Sequence, residues 1–397
     1  MSQPIRVVVV DDSAMMRQII TGLLEQDASI RVVGAARDGR EAIALVEQLR
    51  PDVVTMDVRM PVMDGLATTE HLMAYCPTPI LVLTASLANH EVDITFKMLG
   101  AGALEVVEKP SGTDPQMLAR AGHELVRRIK ILSRVKVVTH LRGRRKAPNG
   151  TELPSEQGAV SAPKAQPLPA LPVRGRAVPF DDARPAHRPP ASAAPASTFP
   201  LILIGASTGG PRVVHQILAG LPRDLPAAVL VVQHIAAGFS TGMVEWLSHT
   251  STLPVRLATE GYQIRPGEVL VAPDRHDLLI TPEGKVHLSD SPVLIQRPAI
   301  DIAMQAAAAV FGSRAIGVLL TGMGRDGAYG MLTIRRARGY TIAQDEASSA
   351  IFGMPRAAIQ LGAVDEVLPP SRIAARLAEV VAALGGSSAD QPHRDGQ

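Results

Sequence analysis

Between residues 148 and 200 the chain places twelve of its 32 prolines, mixed with Ala, Ser and Arg and without apolar periodicity. Such a stretch cannot bury enough apolar surface to offset its ordering entropy, so no single core runs through it. It divides the 397 residues into two pieces of about 130 and about 190, each long enough for a core of its own. The expected division is a first domain over 1–130, a Pro/Ala/Arg-rich linker over 131–198, a second domain over 199–388 and a disordered tail over 389–397. The charge follows the same division. Residues 134–190 carry eleven Lys/Arg against four Asp/Glu, whereas the whole chain is only +2. The folded parts are therefore mildly acidic, and with 3% aromatics there is little material for base stacking, which argues against nucleic-acid binding. Cys76 is the one cysteine, which excludes an internal disulfide and a Cys-based zinc site. No apolar run approaches the ~18 residues of a membrane span. The opening apolar run ends in Asp11-Asp12 rather than as an export signal. A cytoplasmic protein without membrane insertion is expected.

In the first piece, apolar runs alternate with helical stripes. Ile5–Val10, Arg31–Ala36, Val53–Met56, Ile80–Leu83 and Leu104–Val107 read as strands, and Ala42–Leu49 and Asp64–Tyr75 as helices, after a stripe formed by Met15, Ile19, Ile20, Leu23 and Leu24. Continuous apolar strands alternating with helices imply a parallel sheet covered on both faces, with chemistry at the carboxyl ends of the strands. Asp11-Asp12, Asp57, Thr84 and Lys109 each follow a strand. Three carboxylates in one pocket repel unless a divalent cation neutralises them, and Mg²⁺ suits a few carboxylates plus water and phosphate oxygens. A carboxylate beside Mg²⁺ is a nucleophile for a phosphoryl group, which Thr84 and Lys109 would hold by hydrogen bond and charge. Taken singly, each acid is an ordinary cap or loop residue; the set at four strand ends is not.

The second piece reads the same way, with strands at Leu201–Ile204, Ala228–Val232, Val269–Ala272, Ala315–Leu320 and Tyr340–Ala343 and a helix over Pro211–Leu221. Gly205-Ala206-Ser207-Thr208-Gly209 matches G-x-S-x-G, which sets a serine on a tight strand-to-helix turn. The motif alone fits an N-cap as well as a nucleophile. His234, directly after a buried strand, is the candidate base, with His215 on the following helix as its rival. Asp326, in Gly322-Met323-Gly324-Arg325-Asp326-Gly327, would orient the imidazole. Backbone amides at Thr208 and Met323 would support an oxyanion. The same glycine loop is also G-x-G-x-x-G, with Asp345 at the distance of a ribose-binding acid. A dinucleotide-binding output is thus an alternative, although Asp326 would set a negative charge beside the pyrophosphate. A DNA-binding output would be smaller, helical and basic.

Residues 4–125 resemble the receiver domain of bacterial response regulators through Asp11-Asp12, the run Met56–Gly65, Leu83-Thr84-Ala85 and Glu108-Lys109-Pro110. With Ser207 in Gly-Ala-Ser-Thr-Gly-Gly, Gln233-His234, Thr321–Gly327 and Phe352-Gly353-Met354-Pro355, the whole chain resembles the chemotaxis protein-glutamate methylesterase/glutaminase family, CheB. The resemblance implies a flavodoxin-like five-stranded receiver followed by a doubly wound α/β domain with a mostly parallel sheet. It implies Asp57 as acceptor of phosphate from a chemotaxis histidine kinase, and Asp11, Asp12 and Asp57 as Mg²⁺ ligands. It further implies Ser207, His234 and Asp326 as a hydrolase triad needing no cofactor, acting on glutamate methyl esters and certain glutamines of chemoreceptors, or of a non-chemotactic receptor array. One position departs: Val106 stands where many receivers carry an aromatic switch residue. The unphosphorylated receiver is expected to cover the face bearing Ser207.

Overall fold

The computed structural model describes residues 3–85, 89–111, 114–135, 137, 198–291 and 297–386. Most of the expected linker and all of the expected tail lie outside them.

The first domain begins with β1 (Ile5–Val10), α1 (Ala14–Leu24), β2 (Ile30–Ala36), α2 (Gly39–Leu49) and β3 (Val53–Asp57). It continues through α3 (Gly65–Tyr75), β4 (Ile80–Thr84), α4 (Asn89–Ala101), β5 (Glu105–Glu108) and α5 (Pro115–Leu132). The five strands pair in parallel in the order β2-β1-β3-β4-β5. The helix starts are written in the sequence: Ser13, Asp38, Asp64 and Asp114 are N-caps whose side chains accept helix amides. Asp64 thus caps the helix it was expected to begin. Asp11, Asp57, Thr84 and Lys109 stand together at the carboxyl edge.

The second domain starts with β6 (Leu201–Ala206), α6 (Gly210–Ala219), β7 (Ala228–Gln233), α7 (Ser240–Ser248), β8 (Val255–Leu257) and β9 (Val269–Val271). A hairpin of β10 (Asp277–Ile280) and β11 (Val286–Ser289) precedes α8 (Ile300–Phe311), β12 (Ala315–Leu319), α9 (Ala328–Arg336) and β13 (Tyr340–Gln344). The domain ends with α10 (Met354–Gln360), β14 (Glu366–Leu368) and α11 (Pro370–Gly386). Seven strands pair in parallel in the order β14-β13-β12-β6-β7-β9-β8, so the nucleophile candidate follows the central strand. As expected from its stripe, α6 buries Val213, Val214, Ile217 and Leu218.

The two domains share a continuous apolar core across their seam. From α4, the Phe96 ring stacks on Trp246 of α7 with centroids 5.5 Å apart and meets Phe239 edge-on at 6.5 Å. Trp246 also stacks on His215, 4.4 Å away. His215, the rival candidate base, is half-buried and hydrogen-bonded to Thr250 Oγ1 at 2.7 Å. Gly242 of α7 lies so close to α4 that a Cβ there would stand 1.7 Å from Val92 Cγ1.

Candidate active site

The register of the central strands brings the catalytic candidates together. Ala206 of β6 is opposite Gln233 of β7, so the next residues, Ser207 and His234, leave the sheet side by side. The Ser207 N–H donates to Thr321 O (3.0 Å) and the His234 N–H to Ala206 O (2.9 Å), which ties both loops to the sheet edge. The turn needs its glycines for space. A Cβ on Gly322 would lie 2.6 Å from Ser207 Cβ and 2.3 Å from Met354 Sδ. That space is filled by protein, and Asp326 is engaged elsewhere, so the G-x-G-x-x-G loop offers no cradle for a pyrophosphate.

His234 Nε2 is 2.9 Å from Asp326 Oδ2. The carboxylate also accepts the N–H groups of Ile300 (2.8 Å), Asp301 (2.9 Å) and Gly327 (3.0 Å). Because the N-cap of α8 is Ala299, which has no capping side chain, Asp326 serves as that helix's cap from another element. Burial pushes the Asp326 carboxyl up, but His234 and the two helix amides outweigh it, and its pKa lies below the ordinary value. With Asp326 ionised, Nε2 carries the proton it donates and Nδ1 is the remaining acceptor. Asp301, one residue along α8, is pushed up to about 6 by burial and then by the charge of Asp326, against the Gly330 amide it accepts.

Ser207 and His234 line one cavity of about 10 Å³, room for about one water. Among the described residues no hydrogen bond joins the Ser207 hydroxyl to His234, so two of the three expected partners are linked and the third stands beside them. Thr208 is buried on the cavity wall, whereas Met323 is 51% exposed and off it. Part of that wall comes from the first domain: Leu99, Leu104, Glu105 and Val106. Leu104 O accepts the Gly209 N–H at 3.0 Å, at the start of α6. Residue types do not reveal such a contact, since it is made by a backbone carbonyl. Val106, which departs from the aromatic of many receivers, is buried against this cavity.

In the first domain, Asp11, Asp12 and Asp57 place ligand oxygens within 4.8 Å of one another. Lys109 Nζ reaches Asp11 Oδ2 at 2.7 Å and Asp57 Oδ1 at 2.8 Å. One cation against three carboxylates leaves a charge deficit of two, and the donors are all hard oxygens, which fits Mg²⁺. Burial pushes the Asp57 carboxyl up to about 6 despite the opposing pull of Lys109. The Thr84 hydroxyl donates to Glu91 Oε2 of α4 at 3.0 Å, and Arg59 pairs with Glu91 from the other side at 3.4 Å.

An α/β domain with an acid pocket at its sheet edge is thus joined to an α/β domain with a hydrolase-like constellation at its own. Residues 202–377 match the CheB methylesterase family and residues 7–121 the response regulator receiver domain. A protein-glutamate methylesterase/protein-glutamine glutaminase of Symbiobacterium thermophilum is 41% identical over 380 residues, 96% of this chain and 98% of its own. Another, of Anaeromyxobacter dehalogenans, is 43% identical over 95% of this chain and 97% of its own. The chain belongs to the CheB family of receiver-containing protein-glutamate methylesterases. Among solved structures, the Thermotoga maritima CheB methylesterase catalytic domain is 36% identical, covering 47% of this chain and all of that one, with a TM-score of 0.45. Among the described residues no helix is long and apolar enough to cross a membrane.

Proposed function

We infer that the chain is a serine hydrolase that demethylates glutamate methyl esters, and deamidates certain glutamines, on chemoreceptors, giving sensory adaptation. The observation that carries this is the His234–Asp326 pair at the end of the central strands, beside Ser207, in a cavity walled by the receiver. The proposed division of the chain is receiver 1–130, linker 131–198, catalytic domain 199–388 and tail 389–397.

In the reaction, Ser207 Oγ attacks the ester carbonyl carbon while His234 Nδ1 takes its proton. Asp326 stabilises the imidazolium through Nε2. The Thr208 N–H, which no backbone carbonyl among the described residues engages, is the first donor to the developing oxyanion, and the Met323 N–H is the second. His234 returns the proton to the leaving methoxide, or to the amine in deamidation. A water then enters by the same route to free the glutamate.

A cavity of about 10 Å³ holds about one water and cannot admit an esterified side chain, so the docked state is the resting state. A histidine kinase supplies the phosphoryl group to Asp57. Asp11, Asp12 and Asp57 would hold Mg²⁺, which would neutralise charge there. The phosphoryl oxygens attract the Thr84 hydroxyl and the Lys109 ammonium. Thr84 then releases Glu91, and with it α4, whose Phe96 face holds the seam. Replacing Ser207→Ala in the full chain is expected to abolish methanol release from methyl-labelled receptor while the thermal unfolding curve stays in place. Undiminished release from that variant would refute the assignment.

A further inference from the structure

Among the buried polar side chains beside the site that the mechanism above leaves unused, one touches both the nucleophile-bearing turn and the base. Gln233, 3% exposed, directs its amide nitrogen at two carbonyl oxygens, Ser207 O and His234 O, both at 2.9 Å. Both neighbours are acceptors, which fixes that end of the side chain as the NH₂. We propose that Gln233 is a positioning residue, a clamp that holds the nucleophile-bearing turn and the base-bearing strand end at one fixed separation. This rests on the reading of Ser207 and His234 as nucleophile and base.

Three observations support it. A single side chain donates to the main chain of both residues, so relative motion of the two loops breaks at least one bond. The far end of the amide fits against α6 only because residue 210 is glycine: a Cβ there would lie 2.5 Å from Gln233 Oε1 and 2.7 Å from Ala206 Cβ. The opposite side of the same turn is held in the same manner by fully buried Thr321. Its carbonyl accepts the Ser207 N–H, its hydroxyl donates to Thr208 O at 3.1 Å, and its own N–H is held by Gln344 Oε1 at 2.9 Å. The turn is thus gripped from both flanking strands, and Gln233 is the grip that also reaches the base. Its Oε1 has no protein partner, an open acceptor within a network otherwise saturated.

The variant Gln233→Met keeps the volume and removes both donors. Gln233→Glu keeps the shape but turns a carboxylate towards two carbonyl oxygens, and when protonated it regains one donor. Gly210→Ala leaves Gln233 in place and displaces its amide. In the phosphodonor-treated full chain, Q233M is expected to lower kcat per folded enzyme at least tenfold with KM within twofold. G210A should do the same. The ratio of Q233E to Q233M activity should rise as pH falls, since protonation restores a donor. Labelling of Ser207 by a small organophosphonate should slow in parallel, and that readout does not depend on which receptor is the substrate. Folded Q233M with parental kcat and labelling rate overturns the clamp. If Q233M fails to fold, G210A decides by the same two readouts. Neither result touches the methylesterase reading, which stands or falls on methanol release by Ser207→Ala.

Discussion

Gly242→Ala is the sharpest perturbation of the seam. The new methyl would lie 1.7 Å from Val92 Cγ1 and 3.2 Å from Phe96 Cε2, whereas unbonded carbons rest at about 3.5–4.0 Å. The domains must separate by about 2 Å there, and a radial gap of 0.5–1 Å already forfeits roughly a quarter to a half of the dispersion well. Overpacking of this kind costs about 1–3 kcal/mol, which raises the ratio of undocked to docked enzyme by roughly 5–150-fold. The fold of the catalytic domain should not suffer, since Ala is favoured over Gly inside a helix by about 1 kcal/mol. Trp246, the chain's one tryptophan, sits in this seam against Phe96, so its emission reads docking directly. Unphosphorylated Gly242→Ala should release methanol from labelled receptor at least fivefold faster than the parent, approaching the phosphodonor-treated parent, with red-shifted emission. A basal rate within twofold of the parent and an unmoved emission maximum would show that the receiver is not what closes the site.

Other expectations follow from the charges. Asp326→Asn removes the charge that orders His234 but keeps an acceptor for the α8 amides; methanol release should fall at least a hundredfold, while thermal stability should drop by only about 0.3–1 kcal/mol. Asp301, at about 6 in the folded chain and ordinary when unfolded, makes the native state bind more protons between those values. Stability from this group is present below about pH 4 and lost as pH rises to about 6. Asp301→Asn should therefore gain on the parent by up to about 3 kcal/mol between pH 4 and 7 in urea melts; a constant difference across that range would refute the reasoning. Mg²⁺ should raise the melting temperature of the parent but not of Asp12→Asn, whose carboxylate is exposed and is a proposed ligand.

The elements that carry chemistry were legible because each is a long apolar strand followed by an unusual polar residue. Val7–Val10 before Asp11, Val229–Gln233 before His234 and Ile316–Leu320 before the Gly322 loop all had that form. The three-residue strands β8 and β14 are not legible: they lie at the two edges of the sheet and, unlike the fully buried and all-apolar β9, each mixes in a charged residue, Arg256 or Glu366. Nor was the β10–β11 hairpin read, although Pro282-Glu283-Gly284 is turn chemistry and Gly284 has φ +77°. At the site, residue identity pointed to Ser207, His234 and Asp326. It was silent on the help that backbone gives. The amides of Ile300 and Asp301 on Asp326, and Leu104 O on Gly209, come from segments whose side chains are ordinary there. Ala299 at the N-cap of α8 was the one clue, a helix start lacking its own acceptor and so borrowing one.

The wall that Leu104–Val106 builds around Ser207 and the path from Thr84 through Glu91 to that wall imply an effect in the reverse direction. Receptor segment and receiver strand compete for one hollow, so whatever fills it with receptor favours the conformation that a phosphorylated aspartate favours. Linkage then makes the influence mutual: a crowded array of methylated receptors should itself tighten the equilibrium hold of the Asp57 pocket on a phosphoryl group or its analogue, so the active form would be most populated where the most work remains to be done.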